Sequence, residues 1–147
     1  MGKLSKENLK LDTKSKSNKK AALLLSNAGI FHAAVSRLYY SVYQKSLCYQ
    51  KEFCSYMERD NVGSSHVALI DTIDIHIKEL MREEKYKLEA MRSIKYKARI
   101  NDLKEARVKS DYKAIDEFTE EEYEVYHNSF KEVSEALGHY RTILEKR

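Results

Sequence analysis

The chain has 147 residues, no proline, four glycines and a formal net charge of +4. Its length suits a single domain over residues 1–147, which is large enough for one hydrophobic core. The scarcity of turn-forming residues argues against an all-β or α/β fold, because such folds need many tight turns. No apolar run reaches the roughly 18 residues of a membrane span and no signal peptide is recognisable, so the sequence predicts a cytoplasmic protein.

The first two predicted helices lie on either side of Gly29. The first covers residues 5–28; its basic part, 1–19, is expected to fray, and an apolar anchor follows over 21–25. Gly29 is expected to end this helix, because glycine adopts the left-handed backbone conformation at little cost. The second helix covers residues 30–52, with one inward stripe. That stripe consists of Phe31, Ala34, Val35, Leu38 and Val42.

Two further helices are predicted after a turn at residues 60–63. Ser64 or Ser65 caps the third helix, which continues to Met81. Its inner side consists of Val67, Ile70, Ile73 or Asp74, and Ile77. The fourth helix covers residues 85–110, with Leu88, Met91, Ile94, Ala98 and Leu103 facing inward.

The fifth predicted helix has the strongest signals in the chain. Thr119 and Glu122 have the spacing of a capping box, in which side chain and backbone bond reciprocally. Apolar and aromatic residues then recur every three or four positions, which is the pattern of a helix seam. They are Tyr123, Tyr126, Phe130, Val133, Leu137, Tyr140 and Leu144. The five helices together predict an all-α, up-and-down antiparallel bundle of four to five helices, with this seam inside the bundle rather than against a second copy.

Charge is distributed unevenly, whereas cysteine and histidine form no recognisable motif. Residues 82–113 carry eleven Lys and Arg against six acids, and residues 114–135 carry eight acids against Lys131. An anionic ligand, a self-complementary dimer and simple solvated faces all remain open. Cys48 and Cys54 point to different faces of one helix and are expected to be reduced thiols. No Cys/His group has metal-site spacing, so neither a metal nor a cofactor is expected.

The second predicted helix places polar side chains among its apolar positions. Arg37 shares a face with Tyr40 and Ser41, and an arginine beside tyrosines can stack, pair with a carboxylate or bind phosphate. The ordinary alternative is a structural ion pair. Tyr39, Tyr40 and Tyr43 carry hydroxyls that need partners.

Two more candidate positions lie on the third and fourth predicted helices. His66 follows two serines and could act as a base, a phosphate ligand or a cap contact. Arg107 and Asp111 are four residues apart and can bridge on one helix face. For both positions a purely structural role stays open.

In their order and spacing these residues resemble the HEPN superfamily, in particular its small stand-alone prokaryotic members. The resemblance covers about residues 20–145 and rests on three short motifs and on the acidic cap and long last helix that follow from Thr119. Ala33, Ala34, Arg37, Tyr39 and Tyr40 match an Ala-Ala-x-x-Arg-x-Tyr-Tyr-like signature, Ser65 and His66 match a Ser-His pair, and Arg107, Asp111 and Tyr112 match an Arg-x-x-x-Asp-Tyr ending. The resemblance implies a homodimer with the second and fourth predicted helices near its two-fold axis.

The resemblance also implies a function in a toxin–antitoxin or phage-defence module. Many family members are metal-independent ribonucleases in which an arginine is followed, after four to six residues, by a histidine. Here Asp111 and Tyr112 stand where that histidine is expected, and Arg59 and His66 have the spacing but flank a turn. The implied activity is therefore RNA binding, with cleavage left open. Catalysis would fall to His66 and Arg107, phosphate binding to Arg37, Arg107 and Lys109, and orientation to Tyr40, Asp111 and Tyr112.

The alternative that the resemblance allows is a non-catalytic HEPN dimer. Such a dimer would serve as a protein-interaction module for a nucleotidyltransferase or a larger defence complex. It would present an exposed apolar or aromatic patch of roughly several hundred Å². A plain structural bundle without a ligand is the third possibility.

Overall fold

The computed structural model describes residues 5–57, 65–112 and 118–147, with the side chain of Tyr112 outside the description. Within these ranges the chain forms six helices and no strand, so the predicted all-α bundle is confirmed. The helices are α1 (Lys6–Asn27), α2 (Phe31–Cys54), α3 (Ser65–Leu80), α4 (Lys87–Arg92), α5 (Tyr96–Tyr112) and α6 (Glu120–Lys146). The predicted turn at 60–63 and the Ser64 cap lie outside the described residues.

Helix α1 lies antiparallel to α2 and is attached to it by small polar side chains. Ser15 and Ser41 exchange hydrogen bonds, each hydroxyl donating to the other residue's carbonyl at 2.7 and 2.8 Å. The apolar anchor predicted over 21–25 is wrong in part, because Leu23 and Leu24 are 60% and 61% exposed while Ala22 is buried. Close approach through serine and alanine explains the difference, since it leaves little room for large side chains between the two helices.

Gly29 ends α1 as predicted. Its φ of +78° is left-handed, a conformation that a Cβ atom disfavours. The Gly29 amide donates to the Ser26 carbonyl at 3.0 Å, and the Ile30 amide donates to the Leu25 carbonyl at 2.9 Å. These two bonds satisfy the last carbonyls of the helix in the pattern of a Schellman motif, and they turn the chain into α2.

Helix α2 is the central helix, packed against α1, α3, α5 and α6. Four residues of its predicted stripe are buried, and Phe31 packs against the core while partly exposed. Polar residues on its other sides are buried as well, among them Ser46 and Gln50. An element enclosed on several sides has no single outer face, so every polar side chain on it needs a partner.

The predicted fourth helix is wrong as one continuous element, because it is broken at residues 93–95. There the Ile94 amide donates to Met91 and the Tyr96 amide to Ser93, both three residues back. The buried Ser93 hydroxyl donates to the Glu89 carbonyl at 2.9 Å, a local bond of the kind that competes with helix continuation.

This break changes which residues face the core. Leu88, Met91 and Ile94, predicted inward, are 61%, 49% and 40% exposed, and Ala98 is exposed. Leu103 is buried as predicted. The other core residues of this region are Ala90, Tyr96, Ile100 and Ala106. In α3, Ile70, Ile73, Asp74 and Ile77 are buried, but Val67 is 44% exposed.

Helix α6 confirms both its predicted cap and its seam. The Thr119 hydroxyl accepts from the Glu122 amide at 3.1 Å, and the Glu122 carboxylate accepts from the Thr119 amide at 3.3 Å. Six of the seven seam residues are buried and Tyr126 packs against the core. No helix in the described ranges is both long and apolar enough to cross a membrane.

Candidate functional site

A cluster of aromatic and charged side chains lies where α2, α3 and α5 meet; we call it the tyrosine–arginine cluster. It consists of Tyr39, Tyr40, Tyr43, His66, Arg107 and Asp111. Helix α2 contributes the tyrosines, α3 the histidine, and α5 the arginine and aspartate. Three separate helices therefore build one site, at the place where the sequence has hydroxyls among apolar positions.

His66 is attached to α2 by a hydrogen bond and by stacking. The Tyr39 hydroxyl lies 2.6 Å from His66 Nδ1, and the Tyr43 ring stacks on the imidazole with 3.9 Å between centroids. Burial raises the pKa of Tyr39 well above its ordinary value, so this side chain remains a neutral phenol. When the phenol donates to Nδ1, the proton of a neutral imidazole sits on Nε2.

Arg107 lies against two adjacent tyrosine rings and bonds to two oxygen acceptors. Its guanidinium carbon lies 5.7 Å from the centroid of Tyr39 and 5.5 Å from that of Tyr40, at cation–π distance. Its Nη1 donates to the Tyr40 hydroxyl at 2.9 Å and to Asp111 Oδ2 at 3.1 Å. The predicted bridge between Arg107 and Asp111 is therefore present, and Tyr40 and Asp111 both orient the arginine.

One donor of Arg107 has no acceptor in the described part of the chain. The Nε atom is buried and makes no hydrogen bond there, while the side chain as a whole keeps 20% of its surface exposed. An unsatisfied buried donor costs roughly 1–3 kcal/mol. An acceptor such as a phosphate oxygen can therefore reach the exposed part of this side chain but not the buried Nε.

The structure brings together only part of the predicted site. His66 and Arg107 both contact Tyr39. Arg37 is exposed and donates to the side-chain carbonyl of Asn18 on α1 at 3.2 Å. Arg37 therefore faces α1 and does not belong to the tyrosine–arginine cluster. Its partner is an amide, whereas the sequence allowed a carboxylate.

Lys109 lies beside the cluster in an open groove between α3 and α5, the α3–α5 groove. This groove has a volume of about 670 Å³, and Val67, Lys104, Val108 and Lys109 are among its lining residues. Both lysines belong to the same helix as Arg107. The groove lining also includes the acids Asp71 of α3 and Glu105 of α5, so the cations along α5 alternate with negative charge. The predicted orienting role of Tyr112 falls outside the described side chains.

Sequence reasoning missed Tyr39 and Tyr43 as partners of His66. The tyrosines at apolar positions indicated that their hydroxyls need partners. The sequence of one helix does not show which neighbouring helix supplies those partners. The same reasoning missed the link of His76 to Tyr140, in which Nδ1 and the hydroxyl lie 2.6 Å apart. No group of three potential metal ligands occurs among the residues that the structure describes.

No family model, curated protein or solved structure matches this chain. The arrangement of its own residues is therefore the basis for any statement about function.

Proposed function

We propose that this protein is a HEPN-type RNA-binding protein of a toxin–antitoxin or phage-defence module, and that RNA contacts the tyrosine–arginine cluster. The observation that carries this proposal is that His66 and Arg107 both contact Tyr39. The resemblance assigns each residue to the site through a separate motif, and the two are 41 residues apart in the chain.

The chemistry of the cluster suits single-stranded RNA. Arg107 keeps part of its side chain exposed, and this part can donate to a phosphate oxygen. Lys104 and Lys109 lie along the same helix, where further phosphates can be neutralised. Tyr40 and Tyr43 are half-buried, and their accessible parts offer stacking surfaces for unpaired bases.

Binding is a better proposal than cleavage. Where the resemblance implies a histidine after Arg107, Asp111 stands instead and pairs with Arg107 Nη1 at 3.1 Å, so the acid/base that cleavage needs at that position is missing. If the protein does cleave RNA, His66 of the tyrosine–arginine cluster would be the acid/base. In that case His66→Ala should lower the cleavage rate roughly 100-fold or more.

The decisive experiment measures single-stranded RNA binding by fluorescence anisotropy at two stated salt concentrations. Arg107→Gln should weaken binding about ten-fold and reduce the salt dependence, since it removes one phosphate contact. The matched control is Arg92→Gln, because Arg92 is an exposed arginine on α4 with its own Glu89 partner. Melting temperatures of both variants identify any loss of fold.

Two results would contradict the RNA proposal. One is equal binding by wild type, Arg107→Gln and Arg92→Gln at both salt concentrations. The other is a salt dependence that Arg107→Gln leaves unchanged although affinity falls, because a lost phosphate contact must change both.

A second candidate function is a homodimeric protein-interaction module, with a nucleotidyltransferase or a defence complex as partner. The supporting observation is the exposed row Leu88, Met91 and Ile94 on and after α4, since clustered apolar surface marks contact sites. The hydroxyls of Tyr39 and Tyr40 have partners within the chain, His66 and Arg107, so they do not require a dimer. Light scattering of wild type and Leu88→Lys tests this candidate; a single-chain mass for both argues against it.

A further inference from the structure

We propose that a second groove, formed by α1 and α6 over α2, binds a compact apolar carboxylate such as a medium-chain fatty acid. This α1–α6 groove has a volume of about 330 Å³, at the lower end of the roughly 300–1,000 Å³ of ligand sites. It is a different surface from the tyrosine–arginine cluster, and the inference does not depend on RNA binding.

The floor and one wall of the groove are apolar. Leu38 of α2 forms part of the lining, as do Tyr123 and Phe130 of α6. The His127 ring lies between these two aromatics, with centroids 5.8 Å from Tyr123 and 6.2 Å from Phe130. Contact with this surface would remove apolar ligand area from water, worth roughly 25 cal/mol per Å².

The opposite wall, on α1, is basic. Lys16, Lys19 and Lys20 line it, followed by Leu23. Lys16 pairs with Asp12 at 3.0 Å, whereas Lys19 and Lys20 form no ion pair in the described part of the chain. The residues that line the groove include no carboxylate. The wall therefore offers two cations for one negative group beside an apolar floor.

The length and chemistry of the groove favour one small amphipathic anion. From Lys16 to Leu23 the α1 wall covers seven residue steps, or about 10 Å of helix. An extended chain of about eight carbons has this length. A phosphate dianion would have to approach the apolar floor at a high desolvation cost, whereas a carboxylate can stay at the lysines while its chain lies on Leu38.

His127 gives this site a direct readout. Its pKa is lowered, first by burial and then by the charge of Lys131, while Glu124 opposes the shift and Lys19 adds to it. A carboxylate bound at Lys19 and Lys20 brings a negative charge to the same place. It should therefore raise the pKa of His127, because an opposite charge favours the imidazolium.

The test titrates octanoate into the full chain while NMR follows the His127 ring and isothermal calorimetry measures affinity. The double variant Lys19→Gln/Lys20→Gln should bind octanoate about ten-fold more weakly, as expected for two partly exposed ion pairs. The matched control is Lys10→Gln/Lys14→Gln, two exposed lysines of α1 that do not line the groove. Acetate should bind neither protein measurably, since it lacks the chain.

Three outcomes would overturn the proposal. The first is octanoate binding that does not saturate, or that the two double variants weaken equally. The second is saturable binding that leaves the His127 titration unchanged. The third is a shift of the His127 signal with protein concentration alone, together with a doubled mass, which would show a second copy of the chain in the groove.

Discussion

Tyr140 should be among the most sensitive positions in the core, because its hydroxyl joins two other helices. The side chain is fully buried, and its hydroxyl accepts from Gln50 Nε2 at 2.6 Å. Arg147 Nη1 lies 2.7 Å from His76 Nε2, and a guanidinium only donates, so the His76 proton must sit on Nδ1. That Nδ1–H then donates to the same Tyr140 oxygen.

Tyr140→Phe removes one oxygen and leaves two donors without an acceptor. Gln50 is 1% exposed, so water cannot replace the lost bond, and an unsatisfied buried donor costs roughly 1–3 kcal/mol. His76 is half-buried and can recover part of its loss from solvent. We expect a loss of about 2–4 kcal/mol in the free energy of unfolding, measured by urea titration with circular dichroism at 222 nm.

Two controls separate this cost from a general effect of removing a hydroxyl. Tyr126→Phe changes a half-buried tyrosine of the same helix whose hydroxyl makes no hydrogen bond in the described chain, and should cost less than about 0.5 kcal/mol. Adding Gln50→Met to Tyr140→Phe removes the orphaned amide, so the double-mutant cycle should show about 1–2 kcal/mol of coupling. Equal unfolding free energies for Tyr140→Phe and wild type would refute this account.

Three other perturbations test the fold. Leu137→Ala should cost about 2–5 kcal/mol in urea melts, whereas Leu24→Ala, at a 61% exposed side chain, should cost under about 0.5 kcal/mol. A Cβ at Gly29 meets no atom within 4 Å, so the cost of Gly29→Ala comes from left-handed backbone strain alone, roughly 1 kcal/mol. This should lower the melting temperature by a few degrees. The pKa of His76 is lowered, first by burial and then by Arg147, so the unfolded chain binds more protons than the folded chain. Stability should therefore fall as pH drops below about 6.5. His76→Gln should flatten this fall in urea melts, and Lys87→Gln, at an exposed lysine, should not.

The sequence predicts α6 well and the region of α4 and α5 poorly, and both outcomes have local causes. In α6 the reciprocal cap determines where the helix begins, and the unbroken seam determines which face is buried. Residues 85–110 also carry a helical pattern, but the Ser93 hydroxyl bonds to the carbonyl four residues back and the chain turns there. The break rotates α5 relative to α4 about the chain axis. An inward stripe predicted as if residues 85–110 were one helix therefore names the wrong residues over part of its length.

The candidate site was predictable only where its contacts are local. Arg107 and Asp111 are neighbours on any helix because they are four residues apart. Arg37 is one turn before Tyr40, yet its hydrogen bond is to α1 while Tyr40 contacts α5. A helix that packs against four others offers several inward faces, and apolar periodicity alone does not assign a polar residue to one of them.

The polar side chains that contact α2 fall into two groups, which differ in whether any part of them is exposed. Ser41 bonds to α1, Ser46 accepts from Tyr96 of α5 at 2.9 Å, and Gln50 donates to α6. Each of these pairs is buried, so it positions one neighbouring helix. The tyrosine–arginine cluster differs, because Arg107 is partly exposed and its buried Nε has no acceptor in the described chain. Because this arginine of α5 is held against the tyrosines of α2 and still partly exposed, the cluster is the place where an RNA phosphate is expected.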